Sequence, residues 1–282
     1  MPISKQLEKS DRTVASYRCR IVEHASVNDR YRYLRLESAA ALASATSPGQ
    51  FYQIKCPSIL DLQPFLLRPM SVYGVGPEEG CIEFLYSVAG VGTRAMAELR
   101  VGSELDIVGP LGNTFTFDPR FRRILVVARG VGLATMAPLV QRAHAAGIAI
   151  TAVMSARTPG DLMEAQFLRG APADIHSVFD VDGSSAVDMV ENLLRKIISR
   201  DRPDAVYTCG SHRLLMLLQR VLLDLPHIVA EVAMEQRMAC GMGVCLSCVR
   251  LFDCEGEKTF LRVCREGPVF PIREVVGEVE FG

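Results

Sequence analysis

The chain has 282 residues, of which 49% are hydrophobic and 22% charged, and its formal net charge is −1. This length favours two domains with a small additional module over a single hydrophobic core. The balanced charge argues against a nucleic-acid partner, which would need a basic face. No apolar run reaches the ~18 residues needed to span a membrane.

Residues 1–13 are polar and contain no apolar segment of the kind found in a secretory signal. We interpret them as an N-terminal extension rather than a targeting segment. We therefore expect the protein to be cytoplasmic, in a reducing compartment where cysteines serve other purposes than disulfide bonds.

Residues 14–118 have the texture of an all-β domain. Short alternating or apolar runs, separated by turn clusters such as SPGQ and GPEEG, follow one another at YRCRIVEH, RYLRLE, QFYQIKC, SVYGV and IEFLYSVAG. Several short strands at regular spacing predict a small antiparallel barrel or sandwich.

Residues 119–234 alternate between strand and helix patterns. RRILVVA is a continuous apolar run, as expected of a parallel strand buried on both faces, and a helical pattern follows it. Three further strand–helix pairs predict a doubly wound α/β domain. Such domains bind ligands at the carboxyl ends of their strands, here in loops 128–134, 154–159 and 208–211.

Residues 235–282 form a small module that contains the candidate metal-binding cysteines. Four cysteines follow the spacing C-x4-C-x2-C…C, which is typical of a plant-type [2Fe–2S] site, namely Cys240, Cys245, Cys248 and Cys264. Gly241 and Gly243 suit a loop that turns its amides toward a cluster, because glycine adopts positive φ at little cost. The module is too small to bury much core alone, so we expect metal binding to help hold it folded.

The sequence favours two other uses of these cysteines less. Structural zinc sites usually combine two C-x2-C pairs or add histidines, and this segment has no second C-x2-C pair. Disulfides are disfavoured because nine cysteines is an odd number and residues 1–13 do not resemble a secretory signal. We interpret four others as buried or loop thiols, the last a less favoured spare ligand: Cys19, Cys56, Cys81 and Cys254.

Three motifs carry a resemblance to a known family. RPMS and GVGT resemble flavin-binding segments of the ferredoxin-reductase superfamily, and ACGMGVCLSCV with RVCREGPVF resembles the C-terminal signature of class 1B dihydroorotate dehydrogenase electron-transfer subunits. The match covers roughly residues 14–282. It implies FAD in the β domain, a nicotinamide site in the α/β domain and a [2Fe–2S] cluster beside the flavin.

The resemblance also implies which residues contact FAD. Arg68 would present its planar fork to the pyrophosphate, and the hydroxyl of Ser71 would lie near the reactive flavin nitrogen. Gly92 and Thr93 would let backbone amides approach phosphate, just before a helix start predicted at AMAEL. The full set is Arg68, Pro69, Met70, Ser71, Leu85, Tyr86, Ser87, Gly92 and Thr93.

The nicotinamide site departs from the family pattern. The usual run resembling G-G-G-I-G is replaced by Ala128-Arg129-Gly130-Val131-Gly132, and Arg129 could block the cleft, contact a phosphate or point to solvent. Arg157 leaves the choice between NAD(H) and NADP(H) open. The resemblance assigns five residues to this site: Gly130, Gly132, Arg157, Cys209 and Gly210.

The implied function is electron transfer within an oxidoreductase complex of pyrimidine biosynthesis. Its partner would be an FMN-bearing catalytic subunit in a heterotetramer, and segment 268–270 is predicted to pack over the cluster and contact that partner. One alternative keeps the FAD and [2Fe–2S] relay, with a degenerate NAD site and a different partner oxidoreductase. A second is a non-enzymatic regulatory module stabilised by zinc.

Overall fold

The computed structural model describes residues 14–58, 64–76 and 78–277, which form three β-sheets and six α-helices. The predicted extension, residues 1–13, lies outside the described residues. Among the described residues, no helix is both long and apolar enough to cross a membrane.

The first sheet is the predicted antiparallel β domain. Its strands are β1 (Ala15–Ser26), β2 (Tyr31–Glu37), β3 (Phe51–Ile54), β4 (Arg68–Ser71), β5 (Gly74–Gly76), β6 (Cys81–Ser87) and β7 (Glu104–Leu111). They lie in the order β4-β3-β7-β1-β2-β6-β5, and every pairing is antiparallel. Two short helices complete this part, α1 (Ala40–Ser44) and α2 (Val91–Ala97).

The second sheet is the predicted α/β domain. Its parallel strands are β8 (Arg123–Arg129), β9 (Ala149–Ala156), β10 (Asp174–Phe179), β11 (Ala205–Cys209) and β12 (Val229–Ala233), and its helices are α3 (Gly132–Ala145), α4 (Glu164–Leu168), α5 (Val187–Asp201) and α6 (His212–Val221). The strand order runs β10-β9-β8-β11-β12, so the chain changes direction across the sheet between β8 and β11. That switch point is where open α/β sheets bind ligands.

The helices pack on this sheet through apolar stripes. In α5 the buried residues are Val190, Leu194, Ile197 and Ile198. Their spacing of four, three and one residues places them on one face of a helix with 3.6 residues per turn. The polar residues between them face water. The alternation of apolar and polar residues with the helical period therefore predicts this helix from the sequence.

The C-terminal segment is built into the second sheet. A hairpin of β13 (Val249–Cys254) and β14 (Glu257–Arg262) is followed by β15 (Val269–Pro271). Strand β15 pairs antiparallel with β12, placing Phe270 opposite Val232. The cysteine segment is therefore held at both ends by the edge of the α/β sheet.

The expectation that segment 268–270 contacts a partner is wrong for its last residue, Phe270. Phe270 is fully buried, and its ring centroid lies 4.3 Å from that of Phe252 on the hairpin. Phe270 therefore serves the internal packing between the module and the sheet.

We predict that Phe270→Ala lowers the free energy of unfolding by about 3–5 kcal/mol, because it removes a buried aromatic ring and leaves a cavity. Chemical denaturation of the purified protein measures the change. Phe260→Ala is the matched control, since Phe260 lies on the same hairpin but is 62% exposed, and it should change stability by no more than about 0.5 kcal/mol. Equal losses in the two variants would contradict this assignment.

Candidate functional site

The four predicted cysteines are gathered by one loop and one return segment. Gly241 and Gly243 have φ of +70° and +82°, so the loop after Cys240 turns through conformations that favour glycine. The amide of Gly243 lies 3.1 Å from the sulfur of Cys264. Three more amides lie 3.4–3.5 Å from the sulfur of Cys240, those of Met242, Val244 and Cys245. This is a backbone cradle for negatively charged sulfur.

The four sulfurs form two pairs. The Cys248 and Cys264 sulfurs are 3.2 Å apart, and both residues are 2% exposed. Cys240 and Cys245 lie nearer the surface, where the Cys245 amide is 3.5 Å from the Cys240 sulfur. No three His, Cys, Asp or Glu side chains in the described ranges surround a single ion position. Two pairs suit a two-iron cluster, in which each iron takes two thiolates, better than one tetrahedral zinc.

The two pairs differ in their electrostatic surroundings. Hydrogen bonds from Ser247 and from backbone amides lower the pKa of Cys245 to about 6. Burial raises the pKa of Cys264 to about 12. Cys264 therefore depends more than Cys245 on a bound cation to become a thiolate, since a metal ion favours the deprotonated form.

An ion pair braces the two cysteine segments against each other. Arg262 Nη1 donates to the carbonyl of Gly243 at 2.9 Å, and Arg262 Nε donates to the Glu266 carboxylate at 3.0 Å. The Glu266 side chain is 8% exposed and also accepts a hydrogen bond from the Arg262 amide at 2.7 Å. The first loop and the segment around the fourth cysteine are thus fixed relative to each other.

The end of the β domain holds the same segment in place. The Asn113 amide donates to the carbonyl of Gly267 at 2.6 Å. Gly112 has φ of +77°, and a Cβ there would lie 2.9 Å from the same carbonyl. A side chain at position 112 would therefore push the β domain away from the cysteine module.

A cavity of about 280 Å³ lies between the β domain, the α/β domain and the cysteine module. Eight of the nine residues predicted to contact FAD line it, namely Arg68, Pro69, Met70, Ser71, Leu85, Tyr86, Ser87 and Thr93. The ninth, Gly92, lies behind Arg68, where a Cβ would come 3.1 Å from Nε. The opposite wall was not predicted as part of the flavin site, because its residues belong to the other two parts of the chain: Val131, Ala134, Thr135, Met234, Glu235, Gln236, Met238 and Pro268.

Arg68 is suited to bind an anion in this cavity. Its Nη1 donates to the carbonyl of Leu66 at 2.7 Å, which orients the guanidinium. Within the described part of the chain, no carboxylate forms an ion pair with it. An arginine whose charge is uncompensated at a cavity wall fits the pyrophosphate of a dinucleotide.

The structure adds a detail at Tyr86 and corrects the predicted start of helix α2. Tyr86 lines the cavity, but its ring belongs to the β-domain core and its hydroxyl is hydrogen-bonded to Nε2 of His24 at 2.9 Å. Helix α2 begins at Val91, earlier than predicted, because the Thr93 hydroxyl accepts hydrogen bonds from the amides of Ala89 and Gly90 at 2.9 and 3.1 Å. Thr93 therefore shapes the loop as a cap of the helix.

A second cavity of about 200 Å³ opens at the switch point of the α/β sheet. Gly130, Arg157 and Gly210 line it, as predicted for nicotinamide contacts. Gly132 and Cys209 do not. Instead, a Cβ at Gly132 would lie 2.6 Å from the carbonyl oxygen of Cys209, so this glycine lets α3 approach β11.

Cys209 is 2% exposed, and burial raises the pKa of its thiol. The side chain packs in the core of the α/β domain, among residues of β8 and α3. Cys209 is therefore part of the wall behind the cavity rather than its surface.

Arg129, the residue that departs from the family pattern, lines the second cavity while its charge is engaged elsewhere. Its Nη2 lies 2.6 Å from the carboxylate of Asp180, and its Nη1 donates to Ser155 at 2.6 Å. The Arg129 guanidinium and the Ser185 hydroxyl lower the pKa of Asp180 to about 2. The guanidinium is thus fixed above the ends of β9 and β10.

Glu235 lies where the two cavities meet and was not singled out from the sequence. It lines both, and the surrounding protein raises the pKa of its carboxyl by desolvation. Nothing in its sequence context indicates this position, because it depends on where β12 ends relative to β4 and β8.

Comparisons with known proteins agree with this geometry. A family model described as the iron–sulfur cluster binding domain of dihydroorotate dehydrogenase B matches residues 235–276. The electron transfer subunit of dihydroorotate dehydrogenase B (NAD(+)) from Desulforamulus reducens is 30% identical over 85% of this chain and 90% of its own length. The subunit of the same name from Enterococcus faecalis is 32% identical over 82% and 87%.

A solved structure extends the likeness to the whole fold. A chain of an NADH-dependent reduced ferredoxin-NADP oxidoreductase, a flavin-based electron-bifurcating enzyme, superimposes with a TM-score of 0.75 at 25% identity. The alignment covers 92% of this chain and 90% of that one.

We predict that Cys248→Ala abolishes cluster binding, because one iron then lacks a thiolate from the buried pair. Iron content and the broad visible absorption of the purified protein measure this. Cys254→Ala is the matched control: Cys254 lies on the adjacent hairpin, with its sulfur 3.9 Å from the carboxylate of Glu274, and its loss should leave iron content unchanged. Iron loss in Cys254→Ala alone would overturn the ligand assignment.

We predict that Arg129→Ala raises the pKa of Asp180 from about 2 toward the ordinary value of about 3.9. A depressed carboxyl pKa stabilises the fold above the unfolded-state pKa, and this contribution is lost as pH falls from about 4 toward about 2. The variant should therefore lose less stability across that window. Carboxyl NMR titration measures the pKa.

Arg157→Ala is the control for this experiment. Arg157 lines the same cavity but is not a hydrogen-bond partner of Asp180, so the pKa of Asp180 should not move. An unchanged pKa in Arg129→Ala would mean that the ion pair does not form in solution.

Proposed function

Because the chain belongs to the family of dihydroorotate dehydrogenase B electron-transfer subunits, we propose that it carries electrons between a nicotinamide nucleotide and a catalytic partner subunit, through FAD and a [2Fe–2S] cluster. The resemblance read from RPMS, GVGT and the cysteine spacing is confirmed by relatives that align over most of the chain. The observation that carries the proposal is the adjacency of the two sites. Met238 and Pro268 line the first cavity, and the same segments hold Cys240 and Cys264.

Bound FAD would exchange two electrons with a nicotinamide and single electrons with the cluster, which is the chemistry a flavin supplies between these carriers. The protein provides position and electrostatics. In the proposal, Arg68 holds the pyrophosphate, and strand β4 presents Ser71 along the cavity wall. Leu85 and Ser87 form the neighbouring wall on β6, and Gly92 gives Arg68 room behind the wall.

We propose that the nicotinamide site is functional despite Arg129. Glycine is needed in this loop only where a Cβ would collide or φ is positive. Gly130, with φ of +54°, and Gly132 meet that need. Arg129 is the last residue of β8 and is not among the residues with positive φ. Its side chain is held against Asp180, which supports an open cleft.

We further propose that the nucleotide is NAD(H) rather than NADP(H). Asp161 lines the second cavity and pairs with Arg30 at 3.6 Å. A carboxylate at such a site accepts hydrogen bonds from a ribose and repels a 2′-phosphate. The named relatives are NAD(+) enzymes.

The proposed partner is an FMN-bearing catalytic subunit that oxidises dihydroorotate in pyrimidine biosynthesis, within a heterotetramer. The cysteine loop exposes apolar side chains beside the outer cysteine pair, with Val244 80% and Leu246 59% exposed. Exposed apolar side chains next to a redox site favour a protein contact there. A cytoplasmic location is part of the proposal, because four reduced thiolates need a reducing compartment.

We predict that anaerobic NADH bleaches the flavin and cluster absorption of the purified protein, and that NADPH does so with a kcat/KM at least about tenfold lower, or about 1.4 kcal/mol. Stopped-flow absorption with both nucleotides measures this. The ratio of kcat/KM with NADH to kcat/KM with NADPH should decrease in Asp161→Asn, because this variant lacks the charge that repels a 2′-phosphate.

The possible outcomes separate the alternatives. A colourless, zinc-loaded protein would overturn the redox function. Flavin and cluster bands that neither nucleotide bleaches would favour a relay with a degenerate NAD site. Equal rates with NADH and NADPH would overturn only the NAD preference.

A further inference from the structure

Gln53 is a buried polar residue with no explained role in the fold. Its relative exposure is 0%, and neither its Nε2 nor its Oε1 has a hydrogen-bond partner among the described residues. Burying an amide in this state costs free energy, because both polar atoms lose water and gain nothing in exchange. An apolar side chain of similar size would pack there at lower cost.

The strand pattern shows which way Gln53 faces. On β3, Tyr52 and Ile54 belong to the core of the β domain, and Phe51 belongs to the hydrophobic cluster that contains Cys248 and Cys264. Side chains alternate between the two faces of a strand. Gln53 therefore shares the face of Phe51, toward the cysteine segment.

The contact with the cysteine loop is direct. A Cβ at Gly241 would lie 2.6 Å from Cγ and 2.9 Å from Cδ of Gln53. The absence of a side chain at Gly241, together with its φ of +70°, is what leaves room for the amide. Gln53 is thus packed against the residue that follows the first cysteine.

Gln53 also touches the flavin strand. It pairs with Pro69 of β4, in the RPMS segment, while Phe51 pairs with Ser71. The β3–β7 ladder shifts register between Phe51 and Gln53. Such irregularities re-aim side chains near functional sites. The amide therefore lies between the strand proposed to hold FAD and the loop proposed to hold the cluster.

We propose that Gln53 is a positioning residue for the iron–sulfur cluster: its amide would donate a hydrogen bond to an inorganic sulfur of the bound cluster beside Gly241 and so raise the reduction potential of the cluster. A donated hydrogen bond stabilises the reduced cluster more than the oxidised one, because the reduced form carries one more negative charge. Hydrogen bonds to the sulfurs are among the factors that set such potentials. This inference rests on the proposed function, since it requires the cluster.

The test is Gln53→Met in the full chain with FAD and cluster bound, studied by a redox titration followed by electron paramagnetic resonance. We expect the cluster's reduced-to-oxidised ratio at a fixed potential to fall about tenfold, which is about 59 mV for a one-electron couple. Gln53→Leu, which also removes both polar atoms, should lower the ratio by a similar amount.

Gln50→Met is the matched control. Gln50 is also on the β domain and is 1% exposed, but its amide is satisfied, accepting from Ser47 at 2.8 Å and donating to Gly112 at 3.2 Å. Its replacement should lower thermal stability and leave the cluster potential unchanged.

The outcomes are distinguishable. An unchanged potential in both Gln53 variants, or an equal shift in Gln50→Met, would overturn the role of Gln53 while leaving the proposed function intact. A wild-type protein that shows no iron–sulfur signal after reduction would overturn the proposed function and this inference with it.

Discussion

The arrangement of the two cavities and the cysteines depends on the pairing of β15 with β12. Strand β12 ends at Ala233 and leads directly into the cysteine loop, and β15 brings the chain back to the same edge of the sheet. Both ends of the cysteine segment are therefore fixed beside the first cavity. Phe270 packs in the hydrophobic cluster that contains Cys264, and Val269 in the cluster of the α/β domain. A slip of one residue would exchange their faces, so the different sizes of the two side chains favour the observed register.

Much of this architecture could be predicted because its signals are local. The short alternating strands, the continuous apolar strand beginning at Arg123 and the amphipathic helices each follow their own period. RPMS and the cysteine spacing are local as well. The pairing of β15 could not be foreseen, since a three-residue strand has no period of its own. The ion pair between Arg129 and Asp180 could not be predicted either, because Asp180 follows a different strand, 51 residues along the chain.

The hydrophobic core crosses the boundaries between the three segments that the sequence predicts. Phe51 of the β domain, Leu217 of α6 and Cys264 of the cysteine module belong to one continuous cluster of buried residues. Polar groups are concentrated where these segments meet, at Glu235 and Gln53. Such groups carry an energetic cost in a core and persist where a function compensates for it. The candidate sites therefore form where the β domain, the α/β domain and the cysteine module contact one another, and no single segment contains a complete site.

The strand that completes the α/β sheet also limits how the molecule can associate with copies of itself. An unpaired β12 would present a row of free amides and carbonyls, a template for strand addition by another chain and hence for aggregation. β15 covers that row, and as the new outer strand it has only three residues, of which the last is Pro271, and it directly follows Pro268. Proline lacks the amide donor that strand addition requires. The same short segment that anchors the cysteine module therefore leaves the sheet a blunt edge, protected against intermolecular pairing.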